Sequence, residues 1–100
     1  MTKKKQQNQN ENTRIIGEIL QDYRLQLTLK KSSRAFFIAD REDKGLVEPG
    51  WISEKTLINL ENGYNIPSLT TLKQLSVALE VDFIELIKKI EPYIISEDNG

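Results

Sequence analysis

Ile52-Ser53-Glu54-Lys55-Thr56-Leu57-Ile58-Asn59-Leu60-Glu61-Asn62-Gly63-Tyr64-Asn65-Ile66-Pro67-Ser68-Leu69 is the stretch that decides the fold of this chain. Ser53 is a residue type that caps helices, because its hydroxyl accepts a backbone N–H that the first turn leaves without a partner. Leu57 and Leu60 stand at helical spacing and form one short apolar stripe. Gly63 suits the left-handed conformation that closes a helix, and Ser68 is placed to cap the next. The spacing predicts a helix over 54–62, a short turn, and a second helix from residue 69. The first of these is too polar for an ordinary core helix. Ser53, Glu54, Lys55, Thr56, Asn59 and Asn62 all lie off the Leu57–Leu60 stripe.

Downstream, Leu69, Leu72, Leu75 and Leu79 are expected to face inward on a helix over 69–79. Asp82-x-x-Glu85 has the shape of a capping box, followed by a stripe of Phe83, Leu86, Ile87 and Ile90 that Pro92 ends. Upstream, Ile16, Ile19, Leu20, Tyr23 and Leu27 recur at helical spacing and predict a helix over 14–27, capped by Asn12 or Thr13. Residues 28–32 are a linker. Ser33 caps a further helix whose apolar side is Phe36, Phe37, Ile38 and Ala39. Its charged second half, Asp40-Arg41-Glu42-Asp43-Lys44, reads as a solvated extension. Gly45 is a stop, with Leu46 or Val47 folding back. Glu48-Pro49-Gly50-Trp51 meets the requirement of a type II turn, and Trp51 is expected to pin that turn to the core. Only Tyr93-Ile94-Ile95 offers any strand character. The expected architecture is all-α: a compact five-helix bundle over 14–91, preceded by a disordered polar and basic arm over 1–13 and followed by a tail over 92–100.

Composition removes several functions. One hundred residues fit one small domain. No apolar run approaches the ~20 residues of a membrane span. Lys3-Lys4-Lys5 has no apolar segment behind it and does not read as a signal peptide. The chain has no cysteine and no histidine, which removes disulfides, Cys/His zinc sites, cysteine nucleophiles and Ser-His-Asp triads together. No glycine-rich phosphate loop is present, so no cofactor, metal or small-molecule ligand is expected, nor an enzyme. The net charge is −1, but residues 1–60 hold 11 Lys and Arg against 8 Asp and Glu, while residues 61–100 hold 3 against 7. A positive N-terminal face suits phosphate, with the acidic part turned away. The lack of cysteine fits a cytoplasmic protein.

Several segments in register carry a resemblance. Ile16-Gly17-Glu18, Leu60-Glu61-Asn62-Gly63, Pro67-Ser68-Leu69 with Thr71-Leu72, and Leu75-Ser76-Val77-Ala78-Leu79-Glu80-Val81-Asp82 together resemble the Cro/C1-type helix-turn-helix regulators, also called the Xre family. One departure is plain: from Ser33 to Ser53 the chain is about nine residues longer than a 3–4-residue turn between two helices requires. The resemblance implies a bundle of the phage-repressor type whose helix-turn-helix is made by the second and third helices. It also implies sequence-specific double-stranded DNA binding, most often by a repressor that occupies its operator.

By register with that family, Glu54, Lys55 and Asn59 fall on base-reading positions. Their chemistry suits the role, since lysine donates to guanine, asparagine pairs with adenine, and glutamate accepts from the cytosine amino group. Ser53, Thr56 and Asn62 fall where the family contacts phosphate, and Arg34 is placed for the opposite strand. Glu61 is expected to bond a backbone group or an arginine inside the fold. Ile58 is expected either to touch a thymine methyl or to pack on the second helix. The apolar excess at the chain's end, with Ile87, Ile90, Tyr93 and Ile94 foremost, predicts a homodimer on a pseudo-palindromic operator. The rival is a protein-interaction module on the same fold, antitoxin-like or a replication or mobile-element accessory factor. Glu54 at a base-reading position and the pI of about 5.5 speak for it.

Overall fold

Side-chain caps decide where the helices of this chain begin. The computed structural model describes residues 10–94. Ser33 Oγ accepts the Phe36 N–H at 3.1 Å and opens α2, Arg34–Asp43. Ser53 Oγ accepts that of Thr56 at 3.0 Å and opens α3, Glu54–Glu61. Ser68 and Asp82 do the same for α4, Leu69–Leu79, and α5, Phe83–Ile90. Each cap satisfies a donor that the first helical turn leaves unpaired.

The first helix, α1, begins earlier than its polar start suggests, spanning Glu11–Gln26. Asn10, not Asn12 or Thr13, is its cap. Asn10 Oδ1 accepts the Thr13 N–H and Thr13 Oγ1 accepts the Asn10 N–H, both at 2.9 Å. This is a capping box with threonine in the place usually held by glutamate. Arg14 then pairs with Glu11 and Glu18 on the outer face. Residues 11–13 are therefore helical rather than part of an arm; residues 1–9 lie outside the described residues.

The core joins Ile16 and Leu20 of α1, Phe37 of α2, Leu57 and Leu60 of α3, Leu72, Leu75, Ala78 and Leu79 of α4, and Leu86 and Ile90 of α5. Ile19, Tyr23 and Leu27 pack against it half-buried, as does Trp51. Leu69 does not join them: it is 69% exposed. Three residues at ~100° each leave it about 60° off Leu72, on the first turn, beside an exposed turn that offers nothing to cover it.

The long connection between α2 and α3 folds as two tight elements. Arg41 C=O accepts the Leu46 N–H and Glu42 C=O that of Gly45, a Schellman ending. Trp51 N–H then closes the Glu48–Trp51 turn on Glu48 C=O at 3.1 Å, with Gly50 at φ 82°. The Trp51 ring meets Phe37 edge-on, centroids 6.2 Å apart. Its Nε1 is buried with no acceptor among the described residues.

The charged half of α2 is a solvated extension only in part: Asp43 and Lys44 are exposed, but Arg41 turns inward. Arg41 is 2% exposed and bonds Asp40, Glu80 and the Ala78 carbonyl. It stands four residues after the buried Phe37, hence on the same face. Glu80 ends α4 at φ 60°, a left-handed conformation that costs a non-glycine residue about 1–2 kcal/mol. Its pairing with Arg41 at 2.6 Å offsets part of that cost. After α5, residues Glu91–Tyr93 form a 3-10 turn around Pro92, so Tyr93 is not in a strand, and Ile95 lies outside the described residues. Among the described residues no helix is long and apolar enough to cross a membrane.

Candidate nucleic-acid interface

The polar helix α3 is held by its far end. A Cβ placed on Gly17 of α1 would lie 2.4 Å from the Glu61 carbonyl oxygen and 2.6 Å from that of Leu60. Only glycine lets the two backbones approach so closely. Gly63, at φ 82°, closes α3 in the same corner, where a Cβ would lie 2.7 Å from Arg14 Cα.

Charge fixes that corner as well. Glu61 has a side chain only 1% exposed, and its two oxygens serve three donors. Arg24 of α1 grips both, through Nε at 2.7 Å and Nη2 at 2.9 Å. Arg24 Nη1 also donates to the Ser32 carbonyl at 2.6 Å, which ties down the α1–α2 linker. Arg34, the first residue of α2, donates from Nε to Glu61 Oε1 at 2.7 Å. The expectation that Glu61 bonds an arginine inside the fold holds, with two arginines rather than one. Each bond is charge-assisted, and together they offset the cost of burying the carboxylate.

With Leu57 and Leu60 buried and the C-terminal end clamped, the other side of α3 is presented outward. Ser53, Glu54, Lys55, Thr56 and Asn62 are exposed, and Asn59 and Ile58 are half-buried. The N-terminal hydroxyls form a relay. Ser53 Oγ donates to Thr56 Oγ1 at 2.9 Å while accepting the Thr56 N–H. Ser53 is thus engaged twice, whereas the Thr56 O–H meets no acceptor among the described residues. Arg34 differs from the other phosphate candidates: its side chain is 24% exposed, and Nε is already committed to Glu61.

The residues expected at a dimer contact divide. Ile90 is 1% exposed and belongs to the protein's own core, so it cannot serve an interface. It lies four residues after Leu86, on the same buried face. Ile87 is half-buried. Tyr93 lines a groove of about 390 Å³ between α1 and the end of α5, shared with Ile19 and Tyr23. Ile94 is exposed, and so is Ile84, the most exposed apolar residue of α5.

Residues 50–86 match the family model described as Helix-turn-helix. This segment is a DNA-binding helix-turn-helix of the Cro/C1 type. The helix-turn-helix match begins at Gly50, in the turn before α3, and runs through α4 to Leu86 in α5. It therefore holds all of the polar face of α3. No curated protein and no solved structure matches the chain.

Sequence reasoning missed Arg24 and Arg41. A signal for both exists. Arg24 follows Leu20 by four, Arg41 follows Phe37 by four, and Glu61 follows Leu57 by four; each of those apolar residues is 1% exposed. A charge in phase with a buried stripe is carried inward with it, and must find a partner there.

Proposed function

We propose that this protein is a sequence-specific double-stranded DNA-binding regulator, acting as a repressor by operator occupancy in the cytoplasm. The observation that carries the reading is the outer face of α3. A short, capped, firmly anchored helix turns Glu54, Lys55 and Asn59 outward within the helix-turn-helix match. In this reading those three side chains meet base edges in the major groove. Ser53, Thr56, Asn62 and Arg34 meet phosphates, with the amides of the α3 N-terminus favouring the same anionic partner.

The regulator is proposed to act as a homodimer through the outer side of α5 and the turn after it, where Ile84 and Ile94 are exposed and Ile87 and Tyr93 half-buried. Two-fold symmetry then calls for a pseudo-palindromic operator with half-sites about 34 Å apart. Light scattering at micromolar protein, with and without duplex, tests this. A monomer in both conditions rules the dimer out.

A second reading, a protein-interaction module, rests on one observation. The turn after α3 and the start of α4 expose apolar groups and no charge: Tyr64, Ile66 and Leu69 are 47%, 53% and 69% exposed, and no lysine or arginine occurs between Lys55 and Lys73. Binding to random-sequence duplex at rising salt separates the two. A DNA binder shows affinity at low salt that falls steeply as salt is added, because phosphate contacts release counterions. Absence of any binding at low salt would leave the interaction module.

A further inference from the structure

Two guanidiniums close on one carboxylate at the corner of α1, α2 and α3. Arg24 and Arg34 both bond Glu61, and no other carboxylate pairs with either arginine among the described residues. The cluster therefore carries one positive charge more than it neutralises. Arg24 and Glu61 are 5% and 1% exposed, so neither can shed the surplus into water, whereas Arg34 is 24% exposed. The excess charge leaves the fold through the Arg34 guanidinium. That guanidinium uses only Nε toward Glu61. Its two Nη groups make no bond among the described residues, and they form the edge that suits a phosphate or carboxylate fork.

We propose that Glu61 is a positioning residue for DNA binding: it holds Arg34 by Nε so that the two Nη groups stand ready for one backbone phosphate. This rests on the DNA-binding reading of the α3 face. The physical advantage is twofold. A long arginine side chain loses rotamer freedom on binding, and fixing it beforehand removes that loss from the association step. The phosphate also supplies the anion that the cluster lacks among the described residues, so DNA neutralises the surplus charge. Glu61 is the last residue of α3, so one carboxylate sets both the seat of the reading helix and the reach of the phosphate contact. The alternative is that Arg34 only helps to satisfy the buried carboxylate, and has no part in DNA binding.

The test is a double-substitution cycle in the full chain, read by fluorescence anisotropy on a random-sequence duplex across a salt series, with folding checked by circular dichroism. Wild-type binding establishes the DNA reading itself; its absence would sink that reading before the cycle begins. Arg34→Ala is expected to weaken binding about ten- to thirtyfold, the loss of one charge-assisted bond, and to lower the salt slope by about one. Glu61→Gln should weaken wild-type binding but add less than about twofold in the Arg34→Ala background, since it acts through that arginine. An undiminished Glu61→Gln loss without Arg34, or no loss with it, would overturn the proposal. Arg34→Lys keeps the charge but has one nitrogen in place of the planar fork, so it cannot hold Glu61 by one nitrogen while offering a phosphate two others. It should lose most of what alanine loses, and binding within about twofold of wild type would equally overturn the proposal, even if Glu61→Gln fails to fold.

Discussion

Two buried arginines, Arg24 and Arg41, occupy matching places and end in different company. Each follows a fully buried apolar residue by four, and each bonds both a carboxylate and a backbone carbonyl. At the corner of α2 and α4, Arg41 and Lys44 face Asp40 and Glu80, two cations for two anions. That network is complete in itself. At the corner of α1, α2 and α3, two arginines face Glu61 alone among the described residues. The carboxylates differ too: Glu80 is 59% exposed and able to turn to water, whereas Glu61 is 1% exposed. The balanced corner holds helices together. The unbalanced one also points a cation outward, beside the helix proposed to read DNA.

The sharpest way to break this contrast is to remove the two arginines in turn. Arg24→Ala strands a buried carboxylate with one remaining partner and is expected to cost about 3–5 kcal/mol, seen as a large fall in the urea midpoint. Arg41→Ala leaves behind Glu80, which reaches solvent, and Asp40, which keeps Lys44. Its expected cost is about 1–3 kcal/mol, with DNA affinity unchanged for the folded fraction. Equal losses at the two sites would erase the distinction between the corners.

Acid sharpens the comparison. Hydrogen bonds from Arg41, then from Lys44, hold the Asp40 carboxyl below its ordinary value. A carboxyl depressed in the folded state stabilises fully above its unfolded value of about 3.9, and that contribution is lost as pH falls through the lower folded value. Stability measured below about pH 4 should therefore fall less in Asp40→Asn than in wild type. An identical acid profile would remove Asp40 from the network. The smallest effect is expected at Trp51. Its Nε1 is buried without an acceptor among the described residues, so Trp51→Phe removes that donor along with some contact area, and should change stability by less than about 1 kcal/mol in thermal melts.

Much of this molecule is legible in its sequence. Ser33, Ser53, Ser68 and Asp82 mark real helix starts, because short polar side chains before an apolar stripe have one obvious use. The Gly45 and Gly63 endings and the Glu48–Trp51 turn follow from backbone conformations few other residues adopt. The outward face of α3 is visible as polarity beside Leu57 and Leu60. The ion networks are not, because composition alone assigns Asp40–Lys44 to water. Phase decides instead: Arg41 goes where Phe37 goes. Leu69 fails in the opposite sense, and Ile90 in the same sense as Arg41. Residue type places Leu69 inward, although its turn has no neighbour to pack on, and apolar excess places Ile90 at an interface, although its own core needs it. Asn10 is hidden because residues 1–13 look uniformly polar, and only the Asn10–Thr13 exchange distinguishes the helix start.

The most direct test of the account is selection of bound sequences from a random duplex pool by wild-type protein, Lys55→Ala and Asn59→Ala. Wild type is expected to select a defined site of two related half-sites. Each variant should lose preference at its own base position, about 1–3 kcal/mol of discrimination apiece, and leave the rest of the site intact. Selection of the same site with the same stringency by all three proteins would contradict the claim that the outer face of α3 reads DNA.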